Sequence, residues 1–249
     1  MRRRRRVAAA LLASAALVAA GCGTTAKREA VKRTPGCRPG SVRALGSPAR
    51  AYAAAVRRAA RAYRAPGVGP IARFRRDNAY GFRTIFSVRA AVLRRDCRAA
   101  WYRVQLPIKP NGRVGYVRAA DVRLGVVRTR ITVDLSRKLL TFYRDGRPRW
   151  RLRVGIGSRA TPTPLGSFYV NQSLREDPSG PYGPAAIGVS AYSSVLTWWA
   201  DGGPVAIHGT NRPWTIGRAA SNGCIHVPNA AVERLFRITP VGTPVVISA

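Results

Sequence analysis

Short apolar runs with polar residues at alternate positions fill most of the chain after residue 70, a period-two pattern that predicts strands. Phe82 to Leu93 alternates loosely. Ala100 to Leu106 and Val114 to Val117 flank Lys109-Pro110-Asn111-Gly112-Arg113, and Asn-Gly between apolar runs is a strong hairpin signal. Ile131 to Leu135, Leu139 to Tyr143, Trp150 to Ile156, Phe168 to Val170, Val205 to Ile207 and Thr243 to Ile247 read as further strands, with Asp145-Gly146 as a second hairpin turn. Two stretches carry helical spacing instead. Ser47-Pro48 supplies an N-cap and a first-turn proline, and Tyr52, Val56 and Ala60 recur at intervals of four, predicting a helix over Ala49 to Tyr63 that ends at Pro66-Gly67. Pro228 to Phe236 is the other, with Asn229 as its cap. Many short strands, few helices and no βαβ rhythm predict a mainly β protein.

The N-terminus has a different character. Arg2 to Arg6 precede fourteen small or apolar residues, Val7 to Ala20. A bilayer span needs about 20, so the pattern reads as a secretory signal over residues 1–21. Ala19-Ala20-Gly21-Cys22 resembles a bacterial lipoprotein processing site, which implies lipidation of Cys22. Ordinary cleavage nearby gives a soluble exported protein instead. Either way the expected location is the extracytoplasmic cell envelope, and with a lipid anchor it is the outer face of the cytoplasmic membrane.

The location changes how composition is read. Lys and Arg number 44 against 10 Asp and Glu, a formal charge of +34. Loss of the signal removes five Arg and no acid, leaving about +29. An exported chain has little access to DNA, and the Arg pairs sit in no DNA-binding motif, so no nucleic-acid partner is expected. The charge suits solvated faces near anionic wall polymers or a membrane surface. Outside the reducing cytosol Cys37 and Cys97 are expected to pair, closing a loop of about sixty residues. Residues 22–46, rich in Pro, Gly, Lys and Arg, read as a linker. Residues 47–125 read as an N-terminal module, and Trp101 to Val104 with Gly115 to Val117 resembles bacterial SH3-like wall-associated domains.

Cys224 is left without a partner, and the chain's two histidines, His208 and His226, lie close to it in sequence. A free thiol has a pKa of about 8.5 and needs an adjacent base to attack at neutral pH; imidazole suits that task. Gly223 before the Cys permits close backbone approach to a carbonyl, and successive N–H groups there suit an oxyanion. A catalytic zinc site built from Cys224, His226 and His208 lacks a recognised spacing. No metal and no cofactor is expected. Gly155-x-Gly157 lacks the lysine and third glycine of a nucleotide loop. The Trp198-Trp199 pair stays open between core, rim and substrate contact.

Residues 127–249 resemble the L,D-transpeptidase catalytic domain of the YkuD type. The matching segments run in order: Ile131–Ser136, Thr161-Pro162-Thr163-Pro164-Leu165-Gly166-Ser167-Phe168, Gly180-Pro181-Tyr182-Gly183-Pro184, Ile207-His208-Gly209-Thr210, Ile216-Gly217, Ser221-x-Gly223-Cys224-Ile225 and Gly242-Thr243-x-Val245. The resemblance implies a β-sandwich-like domain with a short helix. It implies Cys224 as nucleophile and His208 as proton acceptor and donor, the imidazole oriented by a backbone carbonyl. Ser221, Asn222, Gly223, Gly209 and Thr210 then shape the pocket and oxyanion hole. The substrates implied are peptidoglycan stem peptides: acyl transfer releases D-Ala from a tetrapeptide and joins it to a side-chain amine. Two positions depart from the family pattern. His226 stands where Arg is common, and Asn222 where His or Arg is frequent. His226 is therefore open as a carboxylate ligand or a rival base. A wall-binding or scaffold lipoprotein with a weakened catalytic domain is the other reading.

Overall fold

Alternation becomes strand almost everywhere in residues 36–199 and 202–249, the part of the chain that the computed structural model describes. The signal, Cys22 and the linker up to residue 35 lie outside the described residues. Gly36–Ala249 form one compact unit.

Eight strands make the first sheet: β1 (Val42–Ala44), β2 (Ala51–Val56), β3 (Ala59–Ala65), β4 (Val68–Arg75), β5 (Ile85–Leu93), β6 (Ala99–Gln105), β7 (Val114–Arg118) and β8 (Val122–Val127). They order as β4-β3-β7-β6-β5-β2-β8, with β1 paired to β5. Two sequence expectations fail here. No helix forms over Ala49 to Tyr63; β2 and β3 occupy that stretch. Positions four apart also share a face in a strand, so Tyr52 and Val56 on β2 satisfy both periods, while Ala60 falls past the turn on β3. The small side chains of Ala54 and Ala62, both fully buried, fill a sheet face beside Phe86 and Val104. The stretch read as linker also joins the fold by residue 37. Cys37 and Cys97 are disulfide-bonded, and Val42 to Ala44 pairs antiparallel with Ala90 to Val92.

Ten strands and one helix follow: β9 (Thr129–Asp134), β10 (Leu139–Arg144), β11 (Arg147–Arg153), β12 (Ile156–Gly157), β13 (Gly166–Arg175), β14 (Ala185–Tyr192), β15 (Pro204–His208), β16 (Ala219–Ser221), β17 (Ile225–His226), α1 (Asn229–Ile238) and β18 (Pro244–Ser248). Eight of these strands form the second sheet, ordered β11-β10-β9-β18-β13-β14-β15-β17, while β12 and β16 make a short parallel pair. Asp145 and Gly146 both take positive φ, 53° and 78°, the left-handed pair that a tight hairpin between β10 and β11 requires. β18 inserts at the centre, parallel to β9 and antiparallel to β13. α1 packs Val232 and Leu235 into the core of this sheet. Its cap is Pro228, with no side-chain cap bond. Asn229 does another job, described below.

The two sheets meet at a third apolar cluster of Ala53, Ile85, Val127 and Tyr169. Polar ties surround it. The fully buried Tyr169 donates its hydroxyl to the Ile85 carbonyl at 2.9 Å, and Gln105 Nε2 donates to Ser167 O at 2.8 Å. Asn111 exchanges two bonds with the Tyr192 main chain. Gly242 lies so close to Ala53 that a Cβ there would overlap its methyl group.

Candidate active site

The parallel pairing of β15 with β17 assembles the site. Ile207 lies opposite Ile225 and His208 opposite His226. Neighbours in register on adjacent strands send their side chains to one face, and the two imidazole centroids are 4.8 Å apart. Cys224 precedes Ile225, which places it alongside Ala206. The Ala206 backbone N–H is directed at the thiol. Cys224 is a free cysteine and half-buried. The sequence-expected trio of Cys224, His208 and His226 is thus brought together.

A tight turn presents the cysteine. Ser221 Oγ donates to the Cys224 carbonyl at 2.6 Å and accepts from the Gly223 N–H at 3.2 Å. Gly223 holds φ of 108°, a conformation that a side chain rarely adopts. The Ser221 carbonyl accepts from Ser158 N–H and from Thr161 Oγ1, both at 2.9 Å, so the Thr161-Pro162-Thr163 segment backs the turn. Ser221 and the Gly223 N–H are therefore committed to shaping the loop, and Asn222 is exposed at its tip.

His208 is buried, 3% exposed. Its Nδ1 lies 2.5 Å from the Gly209 carbonyl. A carbonyl only accepts, so Nδ1 carries the proton and Nε2 presents a lone pair. Tyr182 packs its ring edge-on against the imidazole at 4.9 Å. Behind it, the Thr210 N–H donates to Asn229 Oδ1 at 2.7 Å, and Thr210 Oγ1 accepts from the Arg212 N–H at 2.9 Å. Gly209 and Gly183 carry no side chain because Asn229 Oδ1 occupies the space a Cβ would need.

His226 is held from the other side. Thr215 Oγ1 lies 2.7 Å from the Arg212 carbonyl and 2.9 Å from His226 Nδ1. The hydroxyl has one proton, and the carbonyl can only accept, so His226 Nδ1–H donates to Thr215. Nε2 of His226 is again bare.

Burial decides the charge state. It pushes His208 down to about 4, with the neighbouring His226 acting in the same direction and the Gly209 carbonyl opposing. His226 is lowered too, by burial and by the positive charge of Arg212. Burial raises the Cys224 thiol, against the Ala206 N–H. At rest the thiol and both imidazoles are neutral rather than a preformed thiolate and imidazolium.

Thr215, Tyr182 and Asn229 are site residues that the pattern of the chain did not single out by role. Nothing local marks Thr215 as the partner of a histidine eleven residues on. Among the described residues no group of three or more His, Cys, Asp or Glu is arranged to hold a metal ion.

Comparison with known proteins bears on this geometry. The family model described as the L,D-transpeptidase catalytic domain, YkuD, matches residues 128–247. The protein of Bacillus subtilis that carries the name L,D-transpeptidase YkuD is 37% identical over 118 residues, 47% of this chain and 65% of that protein. The Bacillus subtilis relative named L,D-transpeptidase YqjB is 42% identical over 106 residues, 38% of this chain and 57% of that protein. The chain thus spans less than two thirds of the length of either relative. The solution structure of the catalytic domain of an Enterococcus faecium L,D-transpeptidase is 28% identical, with 48% of this chain and 96% of that chain covered at a TM-score of 0.36.

Proposed function

We propose, because residues 128–247 match the L,D-transpeptidase catalytic domain model, YkuD, and are 37% identical over 118 residues to the Bacillus subtilis relative, that this protein cross-links peptidoglycan outside the cytoplasmic membrane by acyl transfer through Cys224. The observation that carries the reading is the register of β15 against β17, with Cys224 at the head of β17 and His208 opposite His226.

The chemistry follows from the resting state. His208 Nε2 takes the thiol proton as sulfur attacks the carbonyl that precedes a terminal D-Ala. With the Gly223 N–H committed to Ser221 Oγ, the N–H groups of Asn222 and Cys224 are the donors the turn offers to the developing oxyanion. His208 returns the proton to the departing D-Ala amine, leaving a thioester. A side-chain amine of a second stem attacks the thioester carbon. His208 carries a proton from that nitrogen to the leaving sulfur, which restores the thiol. The signal-like N-terminus and Cys22 support an envelope location with a lipid anchor, and the positive charge suits anionic wall polymers.

The test is mass spectrometry of the intact protein mixed with a disaccharide-tetrapeptide, beside Cys224→Ala and His208→Ala. A joined pair of stems, with an adduct on the parent and none on Cys224→Ala, is the expected result. Folded protein with a free Cys224 thiol that yields neither adduct nor product would overturn the reading in favour of a binding scaffold.

A further inference from the structure

Resting on the reading above, we propose that Arg212 is the anchor for the terminal carboxylate of the donor stem, and so sets the preference for a free-acid terminus. A donor that releases a terminal D-Ala carries a carboxylate one residue beyond the scissile bond. One residue spans at most about 3.5 Å, so its charge falls inside the site. A buried carboxylate needs a cation or several donors.

His226 does not meet that need. Its Nδ1–H is given to Thr215, and its bare Nε2 turns a lone pair to whatever approaches. Burial and the nearby guanidinium keep it neutral. His208, more deeply buried, presents the same lone pair. Tyr182, whose hydroxyl feels Cys224 and Glu176, is held protonated by its burial. Arg212 is the cation whose charge acts on His226 and whose main chain is tied to the residue that holds it.

The main chain of Arg212 is tied on both sides. Its N–H donates to Thr210 Oγ1 at 2.9 Å; its carbonyl accepts from Thr215 Oγ1 at 2.7 Å and Thr215 N–H at 3.0 Å. Through Thr215 it stands two hydrogen bonds from His226. The residue itself is exposed. The ion pairs among the described residues involve Arg76, Arg83, Arg94 and Arg128, so no carboxylate of the described chain neutralises Arg212. A fixed backbone with an uncommitted planar fork is the arrangement that receives a carboxylate bidentately.

The experiment compares the full-length protein with Arg212→Gln and Arg212→Lys, on a tetrapeptide ending in the D-Ala acid and on the same peptide ending in the carboxamide. Release of D-Ala or D-alaninamide gives KM and kcat. Arg212→Gln is expected to raise KM for the acid at least tenfold, leave kcat within threefold, and leave KM for the amide unchanged. Arg212→Lys recovers part of the loss. Wild-type KM for the acid is expected to stay flat from pH 5.5 to 8.5. An unchanged acid-to-amide ratio in Arg212→Gln overturns the assignment. So does a wild-type KM that falls with acidity, since the carboxylate then goes to protonated His226. A wild type that forms no Cys224 adduct overturns the transpeptidase reading itself, a result distinct from either of these.

Discussion

Deep burial of His208 makes the stability of the fold depend on acid in a way that one substitution should remove. Its pKa is about 4 in the folded protein and 6.5 when unfolded. A depressed folded value means the unfolded chain binds the proton first. Stability is therefore intact above pH 6.5 and is lost as pH falls toward 4, with a total loss of about 3 kcal/mol from a shift of about 2.5 units. By pH 5 the loss from this residue is about 2 kcal/mol relative to pH 7.5. His226 adds in the same direction. Asn at position 208 keeps an N–H for the Gly209 carbonyl and does not titrate. Urea denaturation of wild type and His208→Asn at pH 7.5, 6 and 5 reads the difference. At a slope of about 2 kcal/mol per M, the wild-type midpoint should fall about 1 M further than that of the variant between pH 7.5 and 5. Absolute stabilities need not match; only the divergence counts. Parallel curves, diverging by less than about 0.2 M, would refute the claim that His208 is held neutral by burial.

Four other outcomes are expected. Cys224 should alkylate more slowly with iodoacetamide at pH 7 than a free cysteine and accelerate above pH 9, since burial raises its thiol; a pH-independent fast rate would show a thiolate at rest. Tyr169→Phe leaves the Ile85 carbonyl short of a donor and should cost about 1–3 kcal/mol, with Trp101 and Trp150 fluorescence reporting one shared urea transition for both sheets. Asn229→Ala unpairs the Thr210 N–H, and a kcat loss without loss of folded protein by circular dichroism is the expected sign. Reduction of Cys37–Cys97, which closes a loop across a sequence separation of 60, should lower stability by about 4 kcal/mol in the chain-entropy account, and thermal melts with and without reductant measure it.

β9, β10, β11, β13, β15 and β18 were legible because each has one polar face or a marked turn, as at Asp145-Gly146. The two- and three-residue strands β17 and β16 were not, and neither was β14. Its residues Ala185 to Ala191 are all buried, so Ala-Ala-Ile-Gly-Val-Ser-Ala shows no alternation to read. The helical reading of Ala49 to Tyr63 failed although alanine is the best helix former, because packing in the first sheet overrode that local preference. At the site, the residue types suited to acyl transfer stood out by rarity: two histidines near one unpaired cysteine. Their supports did not. Thr215, Asn229 and Tyr182 are ordinary residues given meaning by contacts across eleven to twenty-six positions, which sequence spacing does not display.

The placement of β18 has a bearing on how the second sheet is held together. Pro244–Ser248 lies in the middle of the second sheet, between β9 and β13. Without those five residues β9 and β13 lack the strand that joins them, and the strand pairings left between the two halves are the Gly155–His226 bridge and the short β12–β16 pair. The second sheet is therefore completed only when β18 slots between its two halves, and a variant lacking Pro244–Ser248 should leave two half-sheets.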